Sequence, residues 1–165
     1  ELMVARPELV TSAVLMATRG RHDRTRDTFW SGERALAESG VRLPVLFEAK
    51  IRLLESFSPK TLNDDNAVGD WIDMFTMWPQ KPTPGMRTHL SIAPQSSRLA
   101  AYQNVAAPTL VIGFADDVVL PSYLGREVAR ALPNGRFLEI PDTGHLGFIE
   151  KPEVVNTAIL NFFAE

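Results

Sequence analysis

Apolar and polar positions alternate in three textures along the chain. Ser12-Ala13-Val14-Leu15-Met16-Ala17 is a short apolar run, the pattern of a strand buried on both faces of a parallel sheet. Before it, Glu1 to Arg6 reads as the tail of a helix that stops near Pro7. From about Thr25 to Pro94 the texture is helical. Phe29, Trp30, Leu36 and Ala37 recur at helical spacing, and Gly40 closes that element. Phe47, Ile51 and Leu54 repeat the spacing. So do Val68, Trp71, Ile72 and Phe75, behind the capping candidates Asn63, Asp64 and Asp65. Pro79, Pro82 and Pro84 with Gly85 then predict a hard break.

The last third is different. Thr109-Leu110-Val111-Ile112-Gly113-Phe114 predicts a buried strand. Leu124, Val128, Ala131 and Leu132 mark an amphipathic helix. Pro133-Asn134-Gly135 turns the chain into a second strand, Arg136 to Ile140. After Pro152, the stripe Val155, Ala158, Ile159 and Phe162 gives a final helix. Strand, helix, strand is a βαβ unit, expected to be parallel with a right-handed crossover. The chain therefore divides into a core helix tail and strand (1–22), a helical cap (23–98) and a C-terminal βαβα core (99–165). The cap reads as an insertion over a parallel sheet, and the whole as one structural domain.

Composition narrows the function. The 165 residues carry 17 Lys and Arg against 20 Asp and Glu, a net charge of −3, which argues against a nucleic-acid binder. Hydrophobic residues make up 45%, enough for an ordinary core. With no cysteine, disulfides, thiolate metal sites and cysteine nucleophiles are excluded. The longest apolar stretches are too short to cross a bilayer, and no signal peptide is evident, so a cytoplasmic location is expected. An opening inside a helix leads to the expectation of a fragment or a processed product.

In an open parallel sheet, ligands bind beyond the carboxyl ends of the strands. Asp116 and Asp117 follow the first strand of the βαβ unit, and His145 follows the second, so both loops emerge at one edge. An Asp and a His meeting there suit the orienting acid and general base of a nucleophilic triad. Counting from Gly113 favours Asp116, and counting back from Pro121 favours Asp117.

Gly113-Phe114-Ala115-Asp116-Asp117-Val118-Val119-Leu120-Pro121, Ile140-Pro141-Asp142-Thr143-Gly144-His145 and Glu150-Lys151-Pro152-Glu153 together resemble the C-terminal part of the α/β-hydrolase fold. Leu15 to Arg21, Lys60 to Asp65 and Val68-Gly69-Asp70-Trp71 bring the resemblance closer to the mycobacterial cofactor-free (non-haem) bromoperoxidase C-like hydrolases. The resemblance implies a Ser-Asp-His triad in that chain order. Its acid-to-histidine interval matches Asp117 rather than Asp116, so the implied catalytic residues are Asp117 and His145. It also implies acyl transfer without haem or metal, on a small acyl or ester substrate. Perhydrolysis is one form, in which hydrogen peroxide captures the acyl-enzyme and the peracid oxidises halide.

The family's serine sits in a Gly-x-Ser-x-Gly elbow, and no such motif occurs here; Ser31-Gly32 and Ser39-Gly40 lack the preceding Gly. These residues alone are therefore expected to be inactive and to need the missing N-terminal half of the fold. Uncovered sheet edges make self-association an expected alternative. The competing reading is a non-catalytic truncated homologue, acting as a binding or partner subunit.

Other signals have plainer readings. Asp142-Thr143-Gly144 matches an aspartic-protease triplet, but Pro141 and His145 fit poorly around it. Arg19, Arg21, Arg24 and Arg26, interrupted by Asp23 and Asp27, read as a solvated loop and helix start. His22, His89 and the Asp64-Asp65 pair are too scattered for a metal site. Trp71 and Phe75 read as the cap's own core. Met74, Met77 and Trp78, with Val119 and Leu146 beside the acid and the histidine, are the candidate substrate-binding residues.

Overall fold

The structure is a computed structural model that describes residues 1–78, 83–91 and 96–165. Three parallel strands form its sheet: β1 (Ala13–Met16), β2 (Thr109–Phe114) and β3 (Gly135–Ile140), in the order β1-β2-β3. Ala13 pairs with Thr109 and Met16 with Ile112. On the other side of β2, Thr109 pairs with Gly135 and Phe114 with Ile140.

Ten helices accompany the strands among the described residues. They are α1 (Leu2–Ala5), α2 (Arg24–Ser39), α3 (Val45–Ser56), α4 (Pro59–Leu62), α5 (Asp65–Met77), α6 (Pro84–Ser91), α7 (Leu99–Tyr102), α8 (Ser122–Ala131), α9 (Gly147–Glu150) and α10 (Pro152–Phe163). A 3-10 turn at Pro7–Leu9 follows α1.

Every residue of β2 is buried, as an unbroken apolar run at the centre of a parallel sheet requires. Its side chains alternate between two layers. Leu110, Ile112 and Phe114 pack with Ile140, Val155 and Phe162, under α10. Val111 packs with Val105, Val128, Ala129 and Leu132, under α8. Helices thus cover both faces, the α/β architecture expected. In contrast to the expectation of burial on both faces, β1 is only half-buried: it lies at the edge of the described sheet and pairs on one side alone.

The helix ends follow their caps. Asp23 accepts from the Arg26 amide at 2.9 Å and starts α2, and Gly40, at φ 70°, ends it in the left-handed region glycine tolerates. Asp64 accepts from the Asn66 and Ala67 amides and starts α5, so the Asp64-Asp65 pair includes a cap, as read. Pro84-Gly85 does not break the chain as predicted. Thr83 Oγ1 caps the Met86 amide at 3.1 Å, and Pro84 occupies the first helical position, where its missing N–H costs nothing. Pro79, Pro82 and Pro94, the other punctuation of this region, lie outside the described residues.

The helices between β1 and β2 share a core of their own. Ala49, Phe57 and Phe75 are buried together, with Leu53, Trp71 and Met74 against them. The Phe57 and Trp71 ring centroids are 4.7 Å apart. In α3 the buried position is Ala49, with Leu53 one turn on; Phe47 and Leu54, members of the predicted stripe, are exposed. Spacing alone scores large side chains, whereas close helix approach here is made at a small one.

Candidate active site

β2 ends at Phe114, and the next residues bind the neighbouring loop. The Ala115 amide donates to the Ile140 carbonyl at 3.0 Å, and the Asp116 amide to the Thr143 carbonyl at 2.9 Å. The acid loop and the histidine loop are therefore fastened together by backbone before any side chain meets. Asp117 lies one residue further on and is 3% exposed. Its Oδ1 accepts from the Val119 amide at 2.8 Å and the Leu120 amide at 2.7 Å. Its Oδ2 lies 2.9 Å from His145 Nδ1. A carboxylate only accepts, so the proton between them sits on Nδ1 and the Nε2 lone pair is left for another partner. The His145 side chain keeps 31% exposure, while the carboxylate of Asp117 has none. Of the two acids the sequence left open, Asp117 reaches the ring and Asp116 contributes its backbone.

The histidine turn is held by local geometry. Asp142 takes a positive φ of 50°. Lys60 first, and then Lys151, hold its carboxyl below the usual carboxylate range. Its ion pairs to Lys60 (3.3 Å) and Lys151 (3.5 Å) make it a turn residue tied to cations, not half of a carboxylate pair. Gly147 starts α9 against the ring of Phe114: a Cβ added there would lie 2.3 Å from a ring carbon. Only glycine lets the turn after His145 settle onto the end of β2.

The arginine cluster does lie at a helix start, with Arg24 exposed at the first position of α2, but Arg21 and Arg26 are not the solvated charges expected. Arg26, with a side chain 10% exposed, donates from Nε to the Val119 carbonyl at 3.0 Å and from Nη2 to the Val118 carbonyl at 2.9 Å. It thereby grips the loop that carries Asp117. Asp23 pairs with it at 3.4 Å, and Asp23's carboxyl is lowered chiefly by its hydrogen bond from the Arg26 amide. Arg21 forms a two-pronged pair with Glu127 at 2.7 and 2.8 Å. Charge alternation in sequence hid partners that lie a hundred residues away. Arg26→Ala is expected to destabilise the fold by about 2 kcal/mol, since two charge-assisted hydrogen bonds to a half-buried loop are lost. Urea unfolding measures this, with Arg26→Lys recovering only part, because one ammonium cannot fork two carbonyls. An Arg26→Ala midpoint equal to wild type would count against the grip.

The substrate-binding candidates separate. Met74 and Leu146 join one cluster, where the cap core meets the histidine loop. Val119 sits half-buried in the acid loop, its amide and carbonyl both engaged. Met77 (63% exposed) and Trp78 (64% exposed) stand at the end of α5 on the surface and are not brought to the others. Glu55, near the end of α3, was not singled out by the sequence. Burial, then the charge of Glu33, pushes its carboxyl above the usual range, against the opposing pull of His145. His22 pairs with Asp27 at 2.7 Å, and His89 packs edge-on to Trp30 with centroids 5.0 Å apart. Among the described residues no group of three or more His, Asp or Glu is placed to hold a metal ion, and no helix is long and apolar enough to cross a membrane.

A doubly covered parallel sheet with an acid after one strand and a histidine after the next defines a class, and sequence comparison gives the same one: residues 2–158 match the alpha/beta hydrolase family, to which the chain belongs. Within it, the chain is 70% identical over 164 residues to the protein named "Putative non-heme bromoperoxidase BpoC" of Mycobacterium tuberculosis. The alignment covers 99% of this chain and 63% of that one. The crystal structure of that protein superposes with a TM-score of 0.94 at 69% identity, over 99% of this chain and 61% of the other. A pyrrolizixenacetamide deacetylase of Xenorhabdus hominickii is 26% identical over 89% of this chain and 54% of its own length. The enol-lactonase of Burkholderia xenovorans LB400 shares the fold at a TM-score of 0.79 and 19% identity, over 99% of this chain and 60% of its own. The chain thus spans less than two thirds of the length of these relatives.

Proposed function

We propose that these residues supply the acid and base of a serine hydrolase acting on a small acyl or ester substrate, its nucleophile lying outside the 165 residues. The observation that supports this most is the 2.9 Å contact between the buried Asp117 carboxylate and His145 Nδ1. In that reading His145 Nε2 takes the proton of the serine hydroxyl as its oxygen attacks the acyl carbon. The leaving alcohol departs with the same proton. Asp117 holds the tautomer and stabilises the imidazolium formed in between. Water then cleaves the acyl-enzyme by the reverse proton path.

The likeness to a protein named a bromoperoxidase supports a second acceptor. Hydrogen peroxide in place of water gives a peracid and the free serine. The peracid then transfers an oxygen and its proton to bromide, giving hypobromous acid, and is itself left as the carboxylate.

The test is turnover of p-nitrophenyl acetate by the 165-residue chain and by the full-length protein. The full-length protein is expected to turn over and the 165 residues alone to stay at background. Addition of acetate, peroxide and bromide is expected to give bromination at the same site. Turnover by the 165 residues alone that requires His145 would overturn the external nucleophile. A full-length protein without turnover would favour the non-catalytic partner reading.

A further inference from the structure

The sequence motif that follows the histidine, Glu150-Lys151-Pro152, is not used by the proton path above, yet its glutamate is at the centre of a cluster of donors. Glu150 Oε1 accepts from the Ser58 amide at 3.0 Å, from Ser58 Oγ at 2.7 Å and from Thr61 Oγ1 at 2.5 Å. Its Oε2 accepts from the Gly144 amide at 2.6 Å. Ser58 and Thr61 belong to the cap, and Gly144 immediately precedes His145. On the other side of the ring, the Leu146 amide donates to the Ser56 carbonyl at 2.9 Å. Both neighbours of His145 are therefore fixed to one stretch of cap, residues 56–58, one of them through Glu150.

The fit is close. A Cβ on Gly144 would lie 2.5 Å from the Phe57 carbonyl carbon and 2.8 Å from the Ser56 oxygen, so backbone meets backbone with no room for a side chain. The Ser58 residue is fully buried. Lys60 and Lys151, the cations next to Thr61 and Glu150 in sequence, are engaged with Asp142. The carboxylate is held by neutral donors alone, which is how a partly buried charge is tolerated when no cation is spent on it.

The geometry points to Glu150 as the positioning residue for His145: its carboxylate registers the cap against the histidine turn and so sets where the ring stands. The inference rests on the reading of His145 as the base, and it concerns the ring's placement rather than the chemistry. Polarity makes it testable. Two of the four donors, the Ser58 and Gly144 amides, cannot turn round, and they bind opposite oxygens. An amide in place of the carboxylate offers one acceptor and one NH2, so one backbone N–H is left facing another N–H. Glu150→Gln keeps the shape and loses the register.

The experiment uses the full-length protein labelled with 15N-histidine. The Nδ1–H proton of His145, identified by its loss in His145→Gln, reports the hydrogen bond to Asp117 directly. In folded Glu150→Gln that resonance is expected to vanish or broaden. For ester turnover, kcat should fall about 100-fold with KM within about twofold, as for a displaced catalytic group. Ser58→Ala, which deletes one donor and keeps the other three, should shift the resonance and cost roughly tenfold in kcat; it carries the test where Glu150→Gln does not fold. A folded variant with an unchanged resonance and unchanged kcat, whatever its melting temperature, would overturn the positioning role. Full turnover by His145→Gln would instead overturn the reading of the base, and the resonance of the Glu150 variants would still judge the register.

Discussion

His145→Ala is expected to remove nearly all ester turnover of the proposed hydrolase, a loss on the order of 10⁴ to 10⁶ in kcat, because in that reading the imidazole is the group that takes the serine proton. His22 is engaged with Asp27 and His89 with the Trp30 ring. The expected residual rate is that of a site that binds and polarises the substrate without a base. Steady-state kinetics on a short aryl ester, with matched unfolding curves, measure it. A folded His145→Ala protein within tenfold of wild type would make the imidazole a structural group and remove the hydrolase reading.

Asp117→Asn is the second large effect. The carboxylate accepts three hydrogen bonds, two from backbone amides on Oδ1 and one from the ring on Oδ2. An asparagine satisfies the amides with its oxygen and then presents NH2 to His145 Nδ1. The ring is forced to carry its proton on Nε2, the nitrogen that must be free. The expected loss is about 10⁴ in kcat with little change in KM. Asp116→Asn keeps the amide that donates to Thr143 and should cost less than about tenfold. Equal and small losses for the two variants would show that neither acid controls the tautomer.

The parts of this site that were legible in sequence are those written by short-range rules. The apolar run from Leu110 to Phe114 made β2 readable as a strand buried on both faces, and its loop placed an acid at the sheet's carboxyl edge. The choice between Asp116 and Asp117 is made by a turn: the second aspartate folds back onto the Val119 and Leu120 amides, and that fold aims its other oxygen at the ring. The roles of Arg26 and Glu150 were beyond such rules. Each acts on a partner some ninety residues away; Arg26 looked in sequence like one charge of an alternating run, and Glu150 was read only as part of the motif that starts a helix at Pro152. Met77 and Trp78 were singled out for their size and position on the predicted helix; in the described residues that helix turns Phe75 inward and leaves them exposed. Residue type gave the chemistry of the pair; only the fold shows what holds it.

The register of the sheet has a consequence for the order in which the molecule is assembled. Thr109 meets Gly135 across a short stretch of chain, whereas Ala13 must find Thr109 across the entire cap. The two separations are roughly 26 and roughly 96 residues, so closing the longer loop costs about 1 kcal/mol more chain entropy. The unit from β2 to the histidine turn therefore has the shorter route to its native contacts, and it already contains both members of the Asp117–His145 pair. β1 is therefore expected to pair later, onto an acid and a base whose backbones are already side by side.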